Sequence, residues 1–476
     1  MKHRRGVGYD AAMSFRRFGD RSVAAGIAVV TIVFGAFQAG RHAFWLDEAF
    51  TAAAAQQPWS RLVDFLGSEA GMGPYYVALW GWAQLGDSEG WLRMLSVVGG
   101  AVALAACYLF AVRHIERRTA IALAIVAVLF CNRFFVYNLT ELRAYSWVMC
   151  AAVASTLLFV RLRSQPTGRN AVLYGFSVGL LLGLLVFNVG LLLAHAVFAG
   201  PLLRDRSGRR RVALAAAVAV VLFAPFVPAL LSSNQVDWIP ATTPRLFGTN
   251  VAIAVGGYRW LGVLAAGNLA LLVTFLKPSL RRPDDTALQV TLVGVITIPL
   301  TLMVLSLAQP LFLARYLSAM TPLAVLGAAA GYVRLVQAIP ATATQRSIGL
   351  AVVAVVGVVG LSPAVEFDIE RPENMAGPAR LLAKFVAEED AVVFSNEQMA
   401  FASGYYWTPN GTVFMQDVPG RQFDDAAAEQ YCHVWYYLRA TRAETLLAVG
   451  SDESDPDVVV QTFVGYTVAE VNRCEY

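Results

Sequence analysis

Charge is what this sequence has little of. Asp, Glu, Lys and Arg together make up 15% of its 476 residues, where soluble chains carry about 25%. So few charges cannot cover a soluble surface, which excludes the three or so cytosolic domains that the length alone suggests. Lysine is nearly missing: Lys2, Lys277 and Lys384 stand against 34 arginines, the bias of a GC-rich genome. The five cysteines are too few for a disulfide scaffold; Cys107, Cys131 and Cys150 fall in apolar runs, and only Cys432 and Cys474 stand where an oxidising compartment would let them pair. Also lacking are a Walker loop, a dinucleotide glycine fingerprint followed by an acid, zinc-ligand spacing and a G-x-S-x-G elbow. The net charge of +4 is modest, and no nucleic-acid partner is expected.

What is abundant is apolar sequence, 57% of the chain. Its runs approach the roughly 20 residues that cross a bilayer. Eleven spans are expected, near 22–40, 91–112, 119–137, 144–160, 171–186, 188–203, 212–230, 256–276, 287–307, 316–336 and 347–363. The stretch 171–203 reads either as two short helices broken near Asn188 and Gly190 or as one long tilted helix. Basic residues choose between them. With the N-terminus inside and eleven crossings, 22 Lys and Arg fall in cytoplasmic segments and 7 in the opposite loops. A single helix there would put the arginine-rich RDRSGRRR segment outside, against the rule that basic residues stay in. The first apolar run, 19 residues, is longer than a signal-peptide core and reads as an uncleaved anchor.

Two pieces lie outside the membrane in this topology. In the first loop, residues 41–90, Trp59, Leu62, Val63 and Leu66 share one helical face, and YYVALWGWAQL at 75–85 is short and rich in Tyr and Trp; both suit the bilayer surface. After residue 363 acids return, and strand-like runs at 391, 412, 433 and 457 alternate with helical segments near 376–388 and 441–449. The expected architecture is therefore a multi-pass α-helical membrane domain, 1–363, which includes loop 41–90, followed by a small extracytoplasmic α/β domain, 364–476. The plasma membrane is the expected location.

Ionisable groups at the membrane edge are candidates for chemistry. Asp47 and Glu48 follow the first span; the bland alternative is that Asp47 caps a helix and Glu48 complements its dipole. Arg143 with Tyr145 opens the fourth span, Arg315 with Tyr316 opens the tenth, and Arg93 begins the second. A lone arginine there would merely snorkel to headgroups. Three arginines on the side of the paired acids describe a water-accessible pocket that holds an anionic phosphate while a carboxylate works beside it.

The succession WLDEA, GPYYVALWGWAQLGDSEGWLRMLSVVGG, ELRAYSW, QVDWIP and QPLFLARYLSAMTPLAVL resembles the GT-C superfamily of membrane glycosyltransferases. The nearest branch is the bacterial family related to protein O-mannosyltransferases and the aminoarabinose transferase of lipid A, over residues 22–340. The resemblance implies a GT-C fold and inverting transfer of a sugar from a polyprenyl-phosphate donor to a glycan, lipid or protein acceptor of the cell envelope on the outer face. Mannose or arabinose is the expected sugar. Asp47 becomes the general base, Glu48 its support or an acceptor ligand, and Arg143, Arg315, Tyr145, Tyr316 and Arg93 the donor-phosphate ligands. Glu69 and Asp237 are weaker acceptor-side candidates. Gly71, Met72, Gly73 and Pro74 stand where many relatives carry a His-Pro-Pro-like segment. No cofactor is required, although Asp47 and Glu48 offer oxygens to Mg or Mn. His195, inside a span, reads as a hydrogen-bonded core residue. The rival reading is a transporter or flippase for a lipid-linked sugar, disfavoured by halves whose loops do not match.

Overall fold

The computed structural model describes residues 5–69, 71–232, 239–277, 285–338, 342, 344–345, 373–416, 430–452 and 454–472. The chain divides into two compact units, one formed by Met1–Phe37, Asp64–Tyr75 and Met94–Asp368, the other by Gln38–Val63, Tyr76–Arg93 and Ile369–Tyr476.

The first unit is helical. Among the described residues, six helices are long and apolar enough to cross a membrane: Gly19–Ala39, Glu89–Ile115, Tyr145–Ser164, Arg206–Leu231, Tyr258–Leu276 and Thr286–Leu305. Thr119–Phe130 and Arg133–Leu139 would make a seventh, bent by 74° at its break. Valines 29, 30 and 33 and Phe37 on the first helix are exposed, as are Val220 and Val221, which hydrocarbon solvates and water would not. The protein is a membrane protein.

The expected spans differ in detail from these helices. The run 119–137 is interrupted where Cys131 ends the first helix and Asn132 starts the next. Its Oδ1 accepts from the Phe135 N–H at 3.1 Å and its Nδ2 donates to the Val255 carbonyl at 2.7 Å. Gly256, at φ 101°, accommodates that approach. The run 171–203 is broken near Asn188: Gly168–Leu184 ends, Val186–Asn188 forms a 3₁₀ turn, and Val189–Val197 follows. The run 316–336 is the helix Met320–Ala338, whose buried Arg334 pairs with Asp285 and lies over the Phe275 ring at 5.4 Å. The run 347–363 lies outside the described residues.

Helices approach closely where a side chain is absent. A Cβ on Gly175 would strike the Ala215 backbone, and one on Gly331 the Gly267 carbonyl. Small residues serve this purpose in membrane helices, where van der Waals packing replaces the hydrophobic drive. His195 is buried, stacked on Phe159 at 4.8 Å, with Nδ1 at 2.9 Å from the Tyr174 hydroxyl and Nε2 at 3.4 Å from Thr156 Oγ1. It is a hydrogen-bonded core residue.

The second unit joins most of the first loop to the tail. Its five-stranded sheet comprises β1 (Ala391–Phe394), β2 (Thr412–Met415), β3 (His433–Leu438), β4 (Val458–Phe463) and β5 (Tyr466–Asn472), in the order β2-β1-β3-β5-β4. β1 runs parallel to β2 and β3; β5 is antiparallel to β3 and to β4. Central β1 and β3 are apolar and buried along almost their whole length, as a sheet covered on both faces requires. The sequence reading anticipates four of these strands and the helices Ala376–Phe385 and Arg442–Val449. It does not anticipate β5, set off from β4 by a two-residue turn with Gly465 at φ 82°, or the helix Glu397–Ser403, started by the Asn396 cap on the Met399 N–H. Cys432 is disulfide-bonded, and Cys474 lies outside the described residues.

In the loop, WSRLVDFLGS forms the helix Trp59–Ser68, with Leu62 buried and Trp59 and Val63 exposed. The Tyr- and Trp-rich stretch forms the eleven-residue helix Gly73–Ala83. Trp82 and Trp91 stack at 4.7 Å, and each indole N–H donates to the other residue's carbonyl, which closes the GDSEG turn.

Candidate active site

Asp47, Glu48 and Arg93 belong to the second unit. The helix Leu46–Ala55 begins at Trp45, whose side chain makes no cap hydrogen bond, so Asp47 and Glu48 occupy its first turn and neither is the cap. Their charges complement the helix dipole. Glu48 is fully buried, and both its oxygens accept from Arg93: Nε to Oε1 at 2.8 Å and Nη2 to Oε2 at 2.7 Å. Arg93 Nη1 donates to the carbonyls of Ala39 and His42 at 2.8 and 2.6 Å, and Nη2 to that of Ala43 at 3.2 Å. All five guanidinium donors are engaged on protein, and the group lies over the Phe44 ring at 4.6 Å. Arg93, expected among the donor-phosphate ligands, is buried with every guanidinium donor on protein. It anchors the strap 39–48. Glu48 is the counter-charge of that anchor, and Asp47, half-buried, is the acid of the pair that keeps exposed surface.

Arg143, Tyr145, Arg315 and Tyr316 belong to the first unit, from segments 170 residues apart. Tyr145 is buried and within electrostatic reach of Arg143, Arg315, Tyr316 and Glu141. Each side of this cluster is held in place. Ser96 Oγ donates to the Arg143 carbonyl at 3.0 Å, and therefore receives the Tyr75 hydroxyl at 2.7 Å. Ser146 Oγ donates to the Ser96 carbonyl and the Trp147 indole to that of Leu95, at 2.7 and 2.9 Å. On the other side, Asn250 accepts the Ala314 N–H at 2.9 Å and donates to the Phe312 carbonyl at 3.1 Å, which shapes the 3₁₀ turn Ala314–Leu317. Arg315 leans over the Tyr316 ring at 5.8 Å, and Tyr316 packs on Phe187 at 4.7 Å.

Glu141, buried in this cluster, is missed by the sequence reading although it stands two residues before Arg143 in ELRAYSW. Glu69 follows the helix Trp59–Ser68 and is half-buried, its N–H on the Phe65 carbonyl. Asp237 lies outside the described residues. Met72, within the Gly-Met-Gly-Pro segment, is buried at φ 61°, a left-handed conformation costly for a side chain with Cβ. Among the described residues no three His, Cys, Asp or Glu gather as a metal site.

Neither a family model nor a curated protein sequence matches this chain. Solved structures do. ArnT from Cupriavidus metallidurans in the apo state superposes with a TM-score of 0.57 at 14% identity, over 97% of this chain and 98% of that one. The same protein bound to undecaprenyl phosphate gives 0.56 at 13%, over 94% and 97%. The chain has the GT-C fold of ArnT. Arabinosyltransferase EmbB from Mycobacterium smegmatis is a weaker likeness, TM-score 0.44 at 16% identity, over 66% of this chain and 30% of that one. The GT-C likeness runs through the tail as well as the helices, since nearly the whole of both chains is matched.

Proposed function

We propose that the protein is an inverting glycosyltransferase that takes a sugar from a polyprenyl-phosphate donor and gives it to a cell-envelope acceptor at the outer face of the plasma membrane, with its N-terminus in the cytoplasm and its tail outside. The observation that carries this reading is the gathering of Arg143, Arg315, Tyr145 and Tyr316 from distant helices into one cluster. Two guanidiniums and two phenols are the donors a lipid phosphate requires, and they oppose the charge that grows on it as the sugar leaves. The GT-C neighbour bound to undecaprenyl phosphate supports the same class of donor.

In this reading Asp47 takes the proton of the acceptor hydroxyl as its oxygen attacks the anomeric carbon from the face opposite the phosphate. The new glycosidic bond forms as the bond to the phosphate oxygen breaks, and the lipid phosphate leaves with the electron pair. Glu48 and Arg93 keep the strap that carries Asp47 in shape. Mannose or arabinose is proposed as the sugar, and a glycan, lipid or protein side chain as the acceptor. Glu69 is a weaker acceptor-side candidate, and Asp237 is proposed on the sequence alone.

The test is purified protein in lipid with a panel of polyprenyl-phosphate sugars and acceptors, reading released lipid phosphate. Release by the wild-type protein and its loss in Asp47→Asn is the expected result. No release from any donor, where a working GT-C enzyme releases under the same conditions, would sink the reading.

A further inference from the structure

The residues just before Asp47 are held by the tail. Phe44 has two backbone polar groups and both go there: its N–H donates to the Tyr406 hydroxyl at 2.9 Å, and its carbonyl accepts the Met375 N–H at 3.0 Å. The Leu46 N–H, which the first turn of a helix leaves without an internal acceptor, donates to Glu373 Oε2 at 3.3 Å. Neither acceptor is loose. Glu373 is buried, receives the Tyr466 hydroxyl at 2.7 Å and pairs with Arg439. The Tyr406 hydroxyl donates in turn to Glu89 Oε1 at 2.7 Å. Burial, then the Glu89 carboxylate, raises the Tyr406 hydroxyl above its ordinary pKa, so it stays a donor. Rings complete the grip, with Phe44 on Tyr405 at 5.0 Å and Phe50 on Phe401 at 5.2 Å.

The topology explains why the strap is gripped at this place. The chain winds from β1 to β2 on one side and returns across β1 to β3 on the other. The carboxyl ends of β1 and β3 therefore flank the point where the winding reverses, where open α/β sheets hold their ligands. From that end a continuous path of bonds leads to the acid helix: the Arg439 N–H donates to Ser395 Oγ at 2.8 Å, the Arg439 side chain pairs with Glu373, and Glu373 holds Leu46. The segment that carries Asp47 is tied to the place a ligand would take.

We propose that the tail is a positioning device for Asp47, in which Glu373 and Tyr406 are positioning residues that hold 44–46 so that the carboxylate meets the acceptor hydroxyl. This rests on the glycosyl-transfer reading. It assigns the tail to turnover and not to binding of the lipid donor.

The experiment compares full-length wild-type protein with Glu373→Gln and Tyr406→Phe in lipid nanodiscs. Thr441→Ala serves as a control that weakens the capping box of the Arg442–Val449 helix elsewhere in the same domain. Steady-state transfer and amide exchange of the 44–55 peptides are both measured. Both variants are expected to lose turnover by roughly 10- to 100-fold, the effect of small misplacement of a catalytic group. The donor KM should stay within about twofold, the Phe44 and Leu46 amides should exchange faster, and the control should change none of these. Tyr406→Phe removes one oxygen and keeps the ring, so it remains readable if Glu373→Gln folds poorly. Faster exchange with full turnover overturns the proposal, as does unchanged exchange in both variants, or a loss of turnover that the control shares. A wild-type protein that transfers from no donor defeats the glycosyl-transfer reading instead, and the exchange data still report whether the tail holds the strap.

Discussion

At the scale of single residues, the two acids have unlike surroundings although they are neighbours in sequence. Glu48 is enclosed with Arg93, and removing one member of a buried pair leaves an uncompensated charge, at a cost of about 3–5 kcal/mol. Arg93→Ala should therefore lower the thermal midpoint in detergent sharply, and Arg93→Lys should recover little, because an ammonium cannot reproduce a planar fork with five donors. Equal stability of the alanine variant would contradict the anchor. Asp47→Asn is expected to leave the midpoint unchanged and to reduce transfer by roughly 10²- to 10⁴-fold, the contribution of general-base catalysis. Replacing Arg143 or Arg315 by Ala should lower turnover by about 10²- to 10³-fold, as loss of a donor to developing charge does. Transfer at wild-type rates by both variants would remove the phosphate site from this cluster.

At the scale of elements, the helices are shaped by a few polar side chains. Asn132 both starts the Arg133–Leu139 helix and holds the Val255 carbonyl. Asn132→Leu loses a cap and leaves a buried carbonyl without that donor, and should cost about 1–3 kcal/mol of stability, readable as a lower melting midpoint. Gly331 sits where a Cβ would enter the Gly267 carbonyl, so Gly331→Val must push Tyr258–Leu276 and Met320–Ala338 apart; a normally folded, monodisperse variant would refute the close approach. The same elements show what was legible. Helix and strand positions follow local periodicity, which is why Trp59–Ser68, Gly73–Ala83 and four of five strands stand where the pattern puts them. The break at Asn132 was not legible, because an apolar run looks the same whether its helix is straight or bent by 74°.

At the scale of the whole molecule, the distribution of basic residues, 22 against 7, bears on orientation. Reporter fusions within 204–211 are expected to read as cytoplasmic, and fusions after the tail as extracytoplasmic; the opposite pattern would put the proposed chemistry on the wrong side for a lipid-linked donor. The candidate site was legible in part. Arg143, Tyr145, Arg315 and Tyr316 could be chosen because arginine and tyrosine at the mouths of apolar runs need a reason to be there. The partner of Glu48 could not be read, and Arg93, 45 residues away, looked equally fit for a phosphate. Glu373 and Tyr406 gave no signal at all, since they meet Leu46 and Phe44 across 327 and 362 residues.

Composition and charge placement by themselves determined a membrane protein of many helices with a polar α/β tail, because the bilayer and the pleated sheet each impose a period and a length that residues must obey locally. The tertiary structure alone decided which arginine is an anchor, which acid keeps exposed surface and which tail residues hold the acid helix. These depend on the donors and acceptors that distant segments bring to each side chain, and no local pattern records them.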